Sequence, residues 1–223
     1  MRFAALAIDY DGTIAEEGRL GEATVRALAR VRASGRKVVL VTGRILVELR
    51  EVCPEMDDIF DAVVAENGAV LYLPARGGPH ALGPPPEPPL VAALRRRAVE
   101  FKLGVSIVAT LSRFADAARD AVHEAGVDRA LEFNKDALML VPSRVSKGTG
   151  AGAALAALGV TASHAVAIGD AENDRALLAT CGWGVAVANA VPGLRAAAHH
   201  VTRESGSRGV IEFLEEFLAD DRR

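Results

Sequence analysis

Two carboxylates separated by a single residue, Asp9 and Asp11, follow the apolar run Phe3-Ala4-Ala5-Leu6-Ala7-Ile8 in the segment Asp9-Tyr10-Asp11-Gly12-Thr13. In an extended chain, residues i and i+2 face the same side, so the two acids can share one small volume while Tyr10 faces away. Anions held that close repel unless a cation or a proton lies between them. The spacing points to a metal site, to a nucleophile with an acid/base partner, or to both. An acidic turn is the alternative this pentapeptide leaves open, since Asp-Gly is an ordinary turn dipeptide. A second acidic group, Ile168-Gly169-Asp170-Ala171-Glu172-Asn173-Asp174, ends another apolar run. Hard divalent cations take oxygen ligands, and Mg2+ binds one or two carboxylates while keeping waters for a phosphate. N-capping by Asp170 and a first turn rich in acids would explain one carboxylate there, but not the cluster.

Two polar signals lie between these acids. In Val41-Thr42-Gly43-Arg44, the Thr42 hydroxyl and the N–H groups that follow, Gly43 included, can hold an anionic oxygen at a helix start. The alternative is that Thr42 caps the helix and Gly43 only turns the chain. Lys147 opens Lys147-Gly148-Thr149-Gly150-Ala151-Gly152. This is not a phosphate-binding loop of the P-loop type, whose Gly-Lys closes the motif after a strand. A lysine at a helix start opposes the helix dipole, which makes sense if it meets an anion; a solvated lysine is the other reading. Arg44, Arg113, Asn134 and Lys135 sit near predicted element ends and are candidates for substrate contact, against simple surface solvation. His199-His200 reads as structural, because neighbours on a strand face opposite ways.

The elements that must position these groups alternate. Strands are expected at 3–8, 37–42, 62–65, 69–73, 165–169 and 184–188, and helices at 22–34, 44–53, 173–180 and 209–219. That rhythm predicts an α/β fold with a doubly wound parallel sheet. The middle differs. Residues 77–89 carry adjacent glycines and most of the prolines, and no regular element is expected there. A helix (90–103), a strand (105–109), a helix (114–125) and two strands (130–133, 137–141) follow. They read as a small α+β unit inserted over 75–145 into a core made of 1–74 and 146–223, and the interface of two such units is a usual small-molecule site.

Composition narrows the class. The chain has 223 residues, 50% hydrophobic and 25% charged, enough for a packed core and against global disorder. Net charge is −3, and Arg95-Arg96-Arg97 lies in a helix-like stretch, so no nucleic-acid partner is expected. Cys53 and Cys181 suggest neither a disulfide framework nor a zinc site, which fits a reducing, cytoplasmic setting. The apolar stretch ending at Asp9 is too short for a signal peptide or a membrane span.

In order, Asp-x-Asp-Gly-Thr, Thr-Gly-Arg, Lys147 and Gly-Asp-x-x-Asn-Asp closely resemble the haloacid dehalogenase superfamily of Mg2+-dependent phosphatases. Glu66-Asn67-Gly68 with a short strand after it is similar to the subgroup of Cof-type sugar phosphatases, sucrose-phosphate phosphatase and archaeal-type phosphoglycolate phosphatases. The short insertion is most similar to the last. The resemblance implies a Rossmann-like core with a substrate-selecting cap. It implies Asp9 as nucleophile through an aspartyl-phosphate and Asp11 as general acid and base. Mg2+ would be held by Asp9, the Asp11 carbonyl and Asp170, with Asp174 binding directly or through water. Thr42, the Gly43 N–H and Lys147 would hold the phosphoryl oxygens, and Asn173 would orient substrate or Asp170. The expected partner is a small phosphate ester, a phosphoglycolate-like acid or a sugar phosphate, acted on by a monomer or homodimer. A phosphosugar mutase using the same intermediate, or a receiver-like phospho-aspartate module, are the alternatives; the Asp-x-Asp spacing and the insertion speak against the receiver.

Overall fold

The apolar run near the start of the chain becomes β1 (Ala5–Asp9), with all five residues buried, and this is why it shows no polar alternation. The computed structural model describes residues 2–220. After β1 come a small hairpin, β2 (Ala15–Glu16) and β3 (Arg19–Leu20), then α1 (Glu22–Ala33), β4 (Lys37–Val41), α2 (Leu46–Val52), α3 (Met56–Ile59), β5 (Ala62–Ala65), β6 (Val70–Tyr72) and β7 (Pro79–Ala81). The middle segment contributes α4 (Pro88–Arg96), β8 (Lys102–Leu103), β9 (Val108–Leu111), α5 (Ala115–Ala125), β10 (Arg129–Asn134) and β11 (Ala137–Pro142). The chain returns through α6 (Lys147–Ala157), β12 (Ala165–Gly169), α7 (Arg175–Thr180), β13 (Trp183–Ala186), α8 (Pro192–Ala197), β14 (His200–Val201) and α9 (Gly206–Asp220).

The large sheet runs β14-β13-β12-β1-β4-β5-β6-β7, parallel from β14 to β5 with two antiparallel strands at one edge. From β1 the chain winds one way to β4, and from β12 it winds the other way to β13. Right-handed crossovers put α1 on one face and α6 and α7 on the other, with α9 returning to pack against α1, a doubly wound α/β sheet. The reversal falls between β1 and β12, and the crevice beyond their C-terminal ends is where such sheets place ligands. The second sheet, β10-β11-β9-β8, is antiparallel and carries its own apolar core, including Leu90, Leu94, Val108, Ala118, Leu138 and Leu140. A third cluster, Ile45, Ala69, Ile107, Met139, Val141 and Val145, seals the two layers together.

Several expected boundaries move, each for a physical reason. The Gly/Pro-rich stretch is not wholly irregular: Pro79–Ala81 adds to the edge of β6, a position where a missing proline N–H is tolerated. Helix α4 opens on Pro88 and Pro89, whose fixed φ suits a first turn. It stops at Arg96 rather than at 103, because Ala98 takes φ +52° and Lys102–Leu103 pairs with β9. The strand expected from 105 starts at Val108, since the Val105 and Ser106 N–H groups both donate to the Glu66 carboxylate at 2.9 Å. Helix α2 begins at Leu46 instead of Arg44, whose N–H donates to the Thr42 hydroxyl at 3.1 Å. The helix expected from 173 becomes a 3-10 turn, Glu172–Asp174, before α7.

Of the glycines after Lys147, Gly148 and Gly150 serve close packing. Helix α6 carries a reciprocal cap, in which Ser146 Oγ accepts from the Thr149 N–H and Thr149 Oγ1 from the Ser146 N–H. A Cβ on Gly150 would lie 2.6 Å from both Gly68 Cα and Val64 Cγ1, so the helix can approach the sheet only with hydrogen at that position. Gly150→Ala should therefore lower unfolding stability by about 1–3 kcal/mol. Denaturant unfolding reads this as a lower midpoint with an unchanged slope; an unmoved midpoint would refute the packing argument.

Candidate active site

Strand β1 delivers Asp9 and strand β12 delivers Asp170 to the crevice at the sheet's reversal, and the turn after β12 adds Asp174. One carboxylate oxygen from each of these buried residues lies within 4.8 Å of the others. Lys147, on the first turn of α6, is 1% exposed and places Nζ 2.6 Å from Asp9 Oδ1 and 2.5 Å from Asp174 Oδ1. The unfavourable lysine at a helix start is thus a buried ammonium between two carboxylates. Burial alone would lower its pKa, but Asp174 and Asp9 outweigh that and hold it above the usual lysine range. Burial first, and repulsion from Asp174 next, push the Asp9 carboxyl up to about 8 against the pull of Lys147. The cluster carries more negative charge than its buried lysine can neutralise.

Each remaining acid has its own fixture. Asp174 Oδ2 accepts the backbone N–H groups of Asp170 and Ala171, both at 2.9 Å, so Asp174 rather than Asp170 ties the turn. Asp170 instead accepts from the Thr13 hydroxyl at 3.2 Å and from Lys135 Nζ at 3.0 Å. Thr13 also donates toward Asp9 Oδ2 at 3.1 Å, bridging β1's acid to β12's. Gly12 takes φ +81°, and a Cβ there would meet Asp170 Oδ2 at 2.5 Å. Asp11 does not join the cluster with its side chain. Arg44 grips it through both oxygens, Nε–Oδ2 at 2.7 Å and Nη2–Oδ1 at 2.6 Å.

Thr42 is buried beside Gly43 and lines, with Asp9, Asp11, Arg44, Asn134 and Met139, a cavity of about 240 Å3 between the two sheets. Its hydroxyl accepts from the Arg44 N–H and does not cap α2. Asn173 donates to Asn67 Oδ1 at 3.0 Å, leaving its own buried Oδ1 without a partner. Lys135 reaches the cluster from the tip of the β10–β11 hairpin. Arg113 does not approach the site: its exposed side chain pairs with Glu100 at 2.8 Å. The oxygen-only donor set and the orphaned Asn173 Oδ1 fit a hard divalent cation, as the cluster's surplus negative charge also does.

Reading the residues alone gave no role to Thr13, Asn67 or Glu66. Their signal was adjacency to motifs, since Thr13 closes Asp-x-Asp-Gly-Thr and the other two open a turn in which Glu66, Asn67 and Gly68 all take positive φ. Glu66 is fully buried and reaches the loop at 104–106 of the inserted unit, while Asn67 reaches Asn173. Another cavity, also of about 240 Å3, lies at the opposite ends of the strands and gathers Phe3, Trp183, Phe213 and Phe217. There His200 packs on Phe213 and His199 Nδ1 accepts the Gly184 N–H at 3.0 Å, so the histidine pair holds structure together. Among the described residues, no helix is long and apolar enough to cross a membrane.

Known proteins are similar to this chain over nearly its whole length. The sequence profile of the haloacid dehalogenase-like hydrolases matches residues 6–77 and 103–214. A phosphoglycolate phosphatase of Methanothermobacter thermautotrophicus is 34% identical over 223 positions, covering 96% of this chain and 98% of its own. A phosphoglycolate phosphatase of Methanosarcina acetivorans is 30% identical, covering 96% of each. Among solved structures, a haloacid dehalogenase-like hydrolase from Bacteroides thetaiotaomicron superposes with a TM-score of 0.83 at 18% identity, covering 96% of this chain and 99% of its own; it shares the fold.

Glu66 joins the two layers through a buried carboxylate that takes two N–H groups. In Glu66→Gln one of those donors would face an NH2 group, at a cost of about 1–3 kcal/mol. Hydrogen exchange should then quicken at the Val105 and Ser106 amides ahead of the rest of the chain. Unchanged protection at those two amides would mean that Glu66 does not hold the loop.

Proposed function

The chain belongs to the haloacid dehalogenase-like hydrolases, and from that premise we propose that it is a divalent-cation-dependent phosphomonoesterase acting on a small phosphorylated acid of the phosphoglycolate type. What carries this reading is the convergence of Asp9, Asp170, Asp174 and Lys147 at the reversal point of the sheet, beneath the inserted unit. The cavity of about 240 Å3 suits a small ester better than a bulky one.

Mg2+ would be held by Asp9, Asp170 and the Asp11 carbonyl, with Asp174, whose oxygens accept from Lys147 and two N–H groups, binding directly or through a water. Bound there, the cation screens the attacking carboxylate from the anionic phosphoryl group. Asp9 attacks phosphorus in line; its oxygen–phosphorus bond forms as the ester oxygen departs, leaving an aspartyl-phosphate. Asp11 gives the departing oxygen its proton and takes one back from the water that then displaces Asp9. Both Asp11 oxygens are engaged by Arg44 here, so this proton transfer requires that pair to open. Lys147, Thr42 and the Gly43 N–H hold the phosphoryl oxygens, since phosphoryl transfer rests on positioning and electrostatics. The unpartnered Asn173 Oδ1 lies in the same site as an acceptor. The inserted unit, which begins after β7 rather than at 75 because Pro79–Ala81 belongs to the large sheet, has its own core and acts as the cap that selects the alcohol.

Phosphate release from a panel of esters, including 2-phosphoglycolate, hexose phosphates and nucleotides, tests the reading. Release should require Mg2+, stop with EDTA and vanish in Asp9→Asn while the fold persists; near-normal turnover by that variant would exclude Asp9 as nucleophile. Lys147→Ala should lose at least about a hundredfold in kcat/KM, since it removes a charge aimed at the transferring group. Full activity there would make the buried lysine purely structural.

A further inference from the structure

One cation of the inserted unit stands inside the acid cluster without a fixed role. Lys135 sits at the hairpin tip between Asn134 and Ala137, at φ +53°, a left-handed conformation that glycine or asparagine adopts at less cost. Strand β10 packs against the Glu172–Asp174 turn, and from there Nζ reaches Asp170 Oδ2 at 3.0 Å. The bare face of Gly12 makes the room: a Cβ there would lie 3.0 Å from that ammonium. The lysine side chain is 57% exposed, whereas that of Asp170 is 1% exposed, so a solvent-facing cation meets a buried anion.

Charge counting gives the consequence. With Asp9, Asp170 and Asp174 all ionised, as a bound divalent cation would hold them, the cluster has three negative charges against the one positive charge of Lys147. A divalent cation on Asp170 would balance the cluster by itself and leave Lys135 in surplus. In this structure Arg44 pairs with Asp11 and Lys102 with Glu48, so neither touches the acid cluster. The geometry points to Lys135 as an exchangeable cation, parked on Asp170 until a divalent ion takes that carboxylate and then transferred to a carboxylate carried by the substrate. This rests on the phosphomonoesterase reading above and names the group that would recognise the substrate's acid.

The test uses Lys135→Gln and Lys135→Arg in the full-length chain. Without substrate, Mn2+ titration followed by electron paramagnetic resonance should show binding about threefold tighter in Lys135→Gln, because the competing ion pair is gone. In turnover, the preference for 2-phosphoglycolate over ethyl phosphate, which lacks the carboxylate, should fall about tenfold, mainly through KM, and Lys135→Arg should restore it. Equal Mn2+ affinity in the wild type and Lys135→Gln would overturn the parked state. An equal loss with both esters would overturn the recognition role and leave Lys135 a structural residue. If the wild type hydrolyses no ester, the phosphomonoesterase reading and the recognition role fall together, while the Mn2+ titration still decides whether Lys135 competes at Asp170.

Discussion

A buried ammonium between two buried carboxylates organises this molecule. Taking an ion out of water costs several kcal/mol even after relaxation, and only close partners with further hydrogen bonds offset it. Lys147 meets that condition because Asp9 and Asp174 arrive from two different strand ends. The second oxygen of Asp174 is occupied by two backbone N–H groups, and that of Asp9 faces the Thr13 hydroxyl. Helix α6 must therefore start at the sheet crevice, and its small residues allow that approach. The reciprocal Ser146–Thr149 cap supports a helix start that a lysine would otherwise weaken.

The same arrangement explains why the site is polarised. Lys147 neutralises part of the cluster, and the remaining acid, Asp170, draws a cation from outside the core. Asp11 stands apart, held by Arg44 over the Tyr10 ring. Two acids two residues apart thus have different environments: Asp9 buried among charges, Asp11 partly exposed with a guanidinium. Different surroundings for neighbouring carboxylates are what separate a nucleophile from an acid/base group.

The inserted unit is joined to the core by buried polar groups as well as by apolar contact. Glu66 binds the loop at 104–106 across that joint; within the inserted unit, the buried Arg129 guanidinium donates to the carbonyls of Ser106, Pro84 and Pro85 and to Glu87 and so fixes the same loop. Because Asn67, beside Glu66, holds Asn173, one strained turn touches both the joint and the acid cluster. Buried polar networks of this kind specify geometry more sharply than apolar packing does.

Much of this was legible in the chain. Strand β1, with no polar alternation, declared itself buried on both faces, and the repeated alternation of strand and helix implied a doubly wound sheet. Lys147 announced itself by standing where a helix dipole disfavours it. These signals are local, since burial periodicity and capping rules act over a few residues. What local rules could not decide was the partner of each charged side chain. Arg44 and Arg113 looked alike as candidates, yet one grips Asp11 and the other pairs with Glu100 at the surface. Val105 and Ser106 read as strand, but their N–H groups went to Glu66, 39 and 40 residues away along the chain. Helix, strand and turn preferences are written in neighbouring residues. The pairing of buried charges is settled by which distant segments the fold brings within hydrogen-bond reach, and only the tertiary structure decides that.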